Sequence, residues 1–322
     1  MLENSEIFVI GGLGFIGCHV VRSLLAQGCK VRVMSRTKVP DAQIHNMFGY
    51  QANLKIVTGD FTCKEDLLPA LAGCDTCIHL ATTTLPSTSN NNKIFDIQSN
   101  LAGTVQLLEA MREQNIRKIV YLSSGGTVYG NPIHVPISET HPTNPISSYG
   151  IVKLAVEKYC YLFQELYGIQ SVVLRLSNPY GPGQTGNRIQ GVVPVFIEKA
   201  LTGKPIEIWG DGNVVRDYIY IDDVTSAINA ALFYQGQETV FNIGHGTGTR
   251  LNDIVDALKV LIGQNILVEY KPGRSLDVSK NILDISKAQK YLNWSPQVDF
   301  EAGIKAVISS LADEQVAKKE FS

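Results

Sequence analysis

IFVIGGLGFIGCHVVRSLLA, residues 7–26, is the stretch on which the fold turns. Four apolar residues, Ile7 to Ile10, run straight into a glycine-rich turn, and Phe15 to Ala26 follow with helical spacing. A short continuous apolar run fits a strand buried on both faces, which belongs in a parallel sheet covered by helices. In the turn, Gly11, Gly14 and Gly17 satisfy G-x-x-G-x-x-G, and Gly12, Gly14 and Gly17 satisfy G-x-G-x-x-G. Between a strand and a helix, such glycines permit a tight turn, let backbone N–H groups approach a pyrophosphate and let the helix pack closely on the strand. Phe15 and Ile16 open that helix and fall within the same dinucleotide site.

The pattern repeats outward. Apolar runs at 31–34, 54–57, 76–81, 118–124 and 171–176 alternate with helical spacings such as Leu101, Val105, Leu108 and Val152, Val156, Tyr159, Phe163. This alternation predicts an α/β doubly wound parallel sheet of the Rossmann type. After about residue 178, Gly/Pro-rich turns, a short helix over Val193–Leu201 and a strand over Leu267–Tyr270 predict a smaller C-terminal α/β lobe. The expected division is 1–178 with 216–245 for the dinucleotide domain and 179–215 with 246–322 for the lobe, with a polar loop at Asn90–Asn92.

Composition narrows the classes. The 322 residues are 44% hydrophobic, enough for a sizeable core, and 28 Lys plus Arg against 30 Asp plus Glu leave no field to attract nucleic acid or anionic lipid. Of six cysteines only Cys74 and Cys77 have motif spacing, without the second pair a zinc site needs, so no metal is expected. Residues 1–10 carry no basic segment and too short an apolar run for a signal peptide or membrane span, which predicts a cytoplasmic protein.

Further residues are candidates for chemistry. At the end of the second strand, where NAD-binding versions carry an acidic residue, this chain has Ser35-Arg36, which suits the 2′-phosphate of NADP as an option beside NAD, with a solvated basic loop as the equal alternative. Asp60, followed by Phe61 after the third strand, suits either an adenine amino group or a helix N-cap. Tyr149 and Lys153 stand at i and i+4 on a predicted helix, and an ammonium beside a phenol favours the phenolate, bringing its pKa toward neutrality. Such a tyrosine can take a proton from a hydroxyl while hydride leaves the same carbon. Ser123, Ser124 and Thr127 in SSGGTVYG offer hydroxyls at the carboxyl edge of the sheet.

Taken in order, the glycine turn, Asp60, His79-Leu80-Ala81, Asn100 in NLAGT, SSGGTVYG, Tyr149-x-x-x-Lys153, RLSNPYGP and RDYIYIDDV resemble the extended short-chain dehydrogenase/reductase family, most of all its UDP-glucose/UDP-N-acetylglucosamine 4-epimerase branch. The resemblance implies Tyr149 as acid/base, Lys153 as its partner on the nicotinamide ribose, Leu80 and Ala81 lining the cofactor, and Asn100 supporting the lysine. It places Asn178 and Arg216 at the diphosphate, Tyr218, Arg274 and Asp277 at the nucleoside, and Val193 and Asn281 among the remaining substrate positions. Gly125 stands where many 4-epimerases have Ser or Thr, which passes the polarising hydroxyl to Ser124 or Thr127. A small Asn281 in place of a bulky Tyr implies tolerance of 2-acetamido sugars. The implied enzyme is a nucleotide-sugar 4-epimerase with bound NAD, dimerising through the helices around 94–114 and 147–167. The alternatives are an NADP-dependent 4-ketoreductase of a dTDP- or GDP-4-keto-6-deoxy sugar and, from another class, a non-catalytic dinucleotide sensor.

Overall fold

A computed structural model describes residues 5–184, 191–273 and 278–320, with side chains as far as 312. In chain order the elements begin β1 (Glu6–Ile10), α1 (Phe15–Ala26), β2 (Lys30–Ser35), α2 (Asp41–Phe48), β3 (Leu54–Thr58), α3 (Lys64–Leu71) and β4 (Thr76–His79). A 3-10 turn (Ser89–Asn91) leads into α4 (Lys93–Asp96), which continues through a π-helical segment (Ile97–Ala102) into α5 (Gly103–Glu113). There follow β5 (Lys118–Ser124), α6 (Ser148–Tyr167), β6 (Gln170–Leu176), β7 (Asn178–Tyr180), α7 (Val192–Leu201), β8 (Ile206–Trp209), β9 (Val215–Arg216), β10 (Tyr218–Tyr220), α8 (Ile221–Phe233) and β11 (Val240–Ile243). The chain closes with β12 (Thr249–Arg250), α9 (Leu251–Ile262), β13 (Val268–Lys271), β14 (Lys280–Asn281), α10 (Ser286–Leu292) and α11 (Phe300–Glu320).

Two compact units emerge, the first from Met1–Asn131, Pro142–Arg175 and Thr225–Phe241, the second from Pro132–His141, Leu176–Val224 and Asn242–Ser322. The main sheet has seven strands in the order β11-β6-β5-β4-β1-β2-β3, and β1 pairs in parallel with both β2 and β4. The reversal of strand order at β1 is the switch point at which doubly wound sheets open a crevice for ligands. Ile7, Phe8 and Val9 are fully buried, as a strand covered on both faces requires. Leu107, Leu108, Met111, Tyr121 and Phe163 fill the layer against one face. The placement of Tyr149 and Lys153 depends on α6, whose start is capped by the Ser147 hydroxyl accepting from Gly150 N at 3.2 Å and whose end is set by Gly168 at φ +68.

The second unit is assembled from small sheets: β10 with β7, β12-β9-β14 and β13 with β8. Asp217, fully buried between β9 and β10, accepts backbone N–H groups of His245 (2.8 Å), Gly246 (3.2 Å) and Leu283 (3.2 Å). One carboxylate thereby ties three separate segments together. Asn90–Asn92 is more than the polar loop expected: Asn90 Oδ1 accepts from Ser148 N at 2.9 Å, and Asn92 caps α4 by accepting from Phe95 N.

Candidate active site

Gly11 sits at φ +86, and a Cβ there would lie 2.7 Å from Ala81 N, so the β1–α1 turn packs directly on the Leu80-Ala81 segment leaving β4. At Gly17 a Cβ would fall 2.1 Å from Gly11 O, which excludes any side chain. Gly14, the N-cap of α1, differs: the single atom near its added Cβ is Gly11 O at 3.4 Å, and the first turn holds neither a side-chain cap nor an acidic residue. An uncapped helix start with an open approach to its backbone fits a dinucleotide pyrophosphate. Around this turn, Ser35 donates to Thr37 O at 2.8 Å and Arg36 is exposed. Asp60 accepts from both Thr62 N and Thr62 Oγ1, the turn-forming role rather than a free acceptor. Phe61 is buried against the His79 ring, centroids 5.5 Å apart, with its side chain in the core.

Ala81 also lines a cavity together with Asp96, Asn100, Tyr121, Tyr149 and Lys153. Within it Lys153 Nζ donates to Leu122 O at 2.7 Å and lies 4.8 Å from the Tyr121 ring centre and 5.7 Å from that of Tyr149. Burial lowers the Lys153 ammonium to about 8, although Glu157 and Asp96 oppose the shift. Burial, reinforced by Asp96, holds the Tyr149 phenol well above its usual range. Burial thus works against the lowering of the phenol expected from Lys153, whose ammonium donates to the Leu122 carbonyl.

Sequence reading missed a buried cluster beside this pair. Asp96 accepts from Thr84 Oγ1 (2.7 Å), Asn100 Nδ2 (2.8 Å) and Ser148 Oγ (2.7 Å). Asn100 also accepts from Thr83 N through Oδ1, so its side chain serves this cluster rather than Lys153. The one available signal was the i, i+4 pairing of Asp96 with Asn100 in the segment KIFDIQSN. His79 was read only as part of a motif. Its Nε2 meets Thr104 Oγ1 at 2.9 Å, and because that hydroxyl donates to Asn100 O at 2.6 Å, Nε2 carries the proton and buried Nδ1 has no hydrogen-bond partner among the described residues. Burial and then Lys153 lower His79 to about 3.

The three hydroxyls divide. Ser123 donates to Glu157 Oε1 at 2.5 Å, inside a network in which Arg175 also holds Glu157, so this hydroxyl is turned away from a ligand role. Ser124 is half-buried. Thr127 Oγ1 is buried with no hydrogen-bond partner among the described residues. Gly150, next to Tyr149, lies so close to Thr127 that a Cβ would come within 2.7 Å of Thr127 O.

In the second unit, four residues far apart in sequence come together on neighbouring strands: Asn178 is in register with Tyr218, and Asn281 with Arg216. Asn178 Nδ2 donates to Asp217 O at 2.8 Å, and the Tyr218 hydroxyl is buried without a hydrogen-bond partner among the described residues. Asn281 is buried as well. Val193 is buried on α7 at 1% exposure. Arg274 and Asp277 lie outside the described residues.

Comparison with known proteins agrees with this geometry. Residues 7–244 match the NAD dependent epimerase/dehydratase family. A UDP-glucose 4-epimerase of Mycolicibacterium smegmatis is 34% identical, covering 93% of this chain and 96% of its own. A dTDP-4-dehydro-6-deoxyglucose reductase of Escherichia coli is 32% identical, covering 96% and 98%. In structure, the UDP-glucose 4-epimerase of Thermotoga maritima with UDP-glucose superimposes with a TM-score of 0.88 at 35% identity, covering 96% of this chain and 99% of that one. A glycine turn open to a pyrophosphate, a Tyr-Lys pair in the cavity beside it, and a match running through most of the chain have one reading: the protein is a member of the NAD dependent epimerase/dehydratase family.

Proposed function

We propose that this enzyme is a 4-epimerase of UDP-sugars, interconverting UDP-glucose and UDP-galactose and admitting their 2-acetamido forms, and that it works in the cytoplasm as a homodimer. The observation that carries this reading is that Ala81, which the glycine turn packs against, lines the same cavity as Tyr149 and Lys153. Cofactor turn and proton-transfer pair thus share a wall. Bound at the turn, NAD would supply a hydride acceptor that returns what it takes, which is what a redox-neutral inversion at C4 needs. Tyr149 takes the O4 proton and later restores it. Lys153, fixed by Leu122 O, keeps a positive charge beside the developing phenolate. We assign the polarising hydroxyl to Thr127, because a buried hydroxyl without a partner costs about 1–3 kcal/mol and a substrate oxygen would satisfy it. Asn178, Arg216 and Tyr218, with Arg274 and Asp277 from the family resemblance, are assigned to the nucleoside diphosphate, which must stay held while the sugar turns.

Support for the dimer comes from exposed apolar side chains on the two implicated helical stretches: Ile94, Phe95 and Ile97 on one, Ile151, Leu162 and Leu166 on the other. Sedimentation equilibrium checks it. A second reading, the NADPH-dependent 4-ketoreductase, is favoured by exposed Arg36 beside Ser35 and by the Escherichia coli relative. Purified protein is offered UDP-glucose and UDP-N-acetylglucosamine without added cofactor, and separately a dTDP-4-keto-6-deoxy sugar with NADPH. Epimerisation in the first tubes is expected, and turnover only in the last would replace the epimerase by the reductase.

A further inference from the structure

Asp96 is completely buried, and its partners among the described residues are two hydroxyls and an amide. Glu157, one turn beyond Lys153 on α6, is the contrasting case: Arg175 binds it through Nε and Nη2, which offsets its charge, although it still pulls the Lys153 ammonium upward. A buried carboxylate held by neutral donors keeps its field, and in surroundings of low dielectric that field reaches its neighbours weakly screened. Those neighbours are the catalytic pair, since Asp96 lines the cavity of Tyr149 and Lys153.

The same residue grips the start of α6. Ser148, whose hydroxyl donates to Asp96, directly precedes Tyr149, and the backbone N–H groups of Ser148 and Tyr149 donate to Asn90 Oδ1 (2.9 Å) and Ser89 Oγ (3.1 Å). Hydroxyl, two backbone donors and carboxylate fix the rotation of the first helical turn, and with it the direction of the phenol. Charges facing Tyr149 come from each packed element in turn: Lys153 from α6, Asp96 from the end of α4, His79 from β4 and Tyr121 from β5. His79 stays neutral above about 3, and burial raises the Tyr121 phenol, so Lys153 stands opposed to Asp96 and to the Arg175-paired Glu157, of which Asp96 alone acts also on Tyr149.

We propose that Asp96 is a positioning residue whose negative charge balances Lys153 and sets how tightly Tyr149 holds its proton. The inference rests on the reading of Tyr149 as acid/base. In that role the phenol gives up and regains a proton in every turnover, so its two forms must lie close in free energy. Lys153 favours the phenolate, burial opposes it, and Asp96 adds to that opposition through its upward pull on both groups.

The test is the pH dependence of kcat for UDP-glucose epimerisation by the holoenzyme, in wild type, Asp96→Asn, Ser148→Ala and Tyr149→Phe. Removing the charge in Asp96→Asn is expected to move the rising limb to lower pH by about one unit, the usual size of a close-charge effect. Ser148→Ala keeps the charge and leaves the limb in place while lowering kcat. An unmoved limb in Asp96→Asn, with melting close to wild type, overturns the proposal, as does an equal shift in Ser148→Ala. Should Asp96→Asn not fold, Asp96→Ser carries the same comparison. Full activity in Tyr149→Phe refutes the acid/base reading itself, whereas an inactive Tyr149→Phe with an unmoved Asp96→Asn limb refutes only the role of Asp96.

Discussion

Two fully buried aspartates, Asp96 in the first unit and Asp217 in the second, are both held by three donors, and the donors differ in kind. Asp217 is bound by backbone N–H groups of His245, Gly246 and Leu283, Asp96 by the side chains of Thr84, Asn100 and Ser148. Backbone donors cannot turn away, so their acceptor becomes part of the chain path and its loss is felt as unfolding. Side-chain donors leave the path to the helices, and the charge is free to act on its surroundings. Buried carboxylates thus serve architecture or chemistry according to what binds them.

The largest effect should come from breaking the architectural case. Asp217→Asn turns one acceptor oxygen into a donor facing buried N–H groups, and a loss of about 3 kcal/mol in unfolding free energy is expected in denaturant titration. The rising limb of its pH profile should stay at the wild-type position, and a shift like that expected for Asp96→Asn would erase the distinction. Next comes Tyr149→Phe, which removes the proposed proton carrier without touching either carboxylate. Its kcat should fall by at least about 100-fold, or about 2.7 kcal/mol, with stability near wild type and UDP-sugar binding retained in calorimetry. A variant that still turns over would end the assignment.

His79 sharpens the picture with a group buried in its neutral form. Its folded value of about 3 lies below the ordinary 6.5, so on acidification the unfolded chain takes up this proton and the folded chain does not. The stability it contributes is complete above about 6.5 and is lost as pH falls toward 3, at roughly 1.4 kcal/mol per unit once well below 6.5. Comparing denaturant unfolding at pH 4.5 and pH 6.5, His79→Gln, whose amide can still donate to Thr104, should show a flatter dependence than wild type; equal slopes would remove His79 as the source. The smallest effect belongs to a charge with neither kind of cradle. Arg36 is exposed, and Arg36→Ala should change NAD-supported turnover by less than about twofold, as surface charges commonly do. A tenfold loss of NADPH binding in fluorescence titration would instead support the reductase.

Much of the first unit was legible because its signals are local. The apolar runs from Ile7 to Leu176 fall within β1 to β6, except that the run at 76–81 continues two residues beyond the end of β4, and the helix expected over Phe15 to Ala26 has those limits. Tyr149 and Lys153 share α6 because four residues nearly complete a turn. Contacts closed over long separations left no such trace. Ser148 reaches Asp96 across 52 positions, and Asn90, in what reads as a polar loop, reaches Ser148 across 58. Ser123 looked like a ligand because it ends an apolar run; the pleat, invisible in a continuously hydrophobic strand, turns it toward Glu157. Val193 is buried, and an apolar residue near a helix start reads alike whether it lines a pocket or fills one. In the second unit, two- and three-residue strands are too short to show any period.

The π-helical segment Ile97–Ala102 lets one continuous rod carry an extra residue between the aspartate and the glycine that opens α5. In evolutionary terms this is an insertion absorbed without a loop, and it should surface as a one-residue gap when relatives with an unbroken α-helix are aligned here. Deleting one residue within 97–99 would restore plain α-helical winding, and because the wider turn absorbs the extra residue, the two ends of the rod would keep nearly the same rotation about the axis. Asp96 would still face Ser148. A single-codon deletion at this spot therefore removes the insertion while leaving both ends of the rod, and every functional side chain, in place.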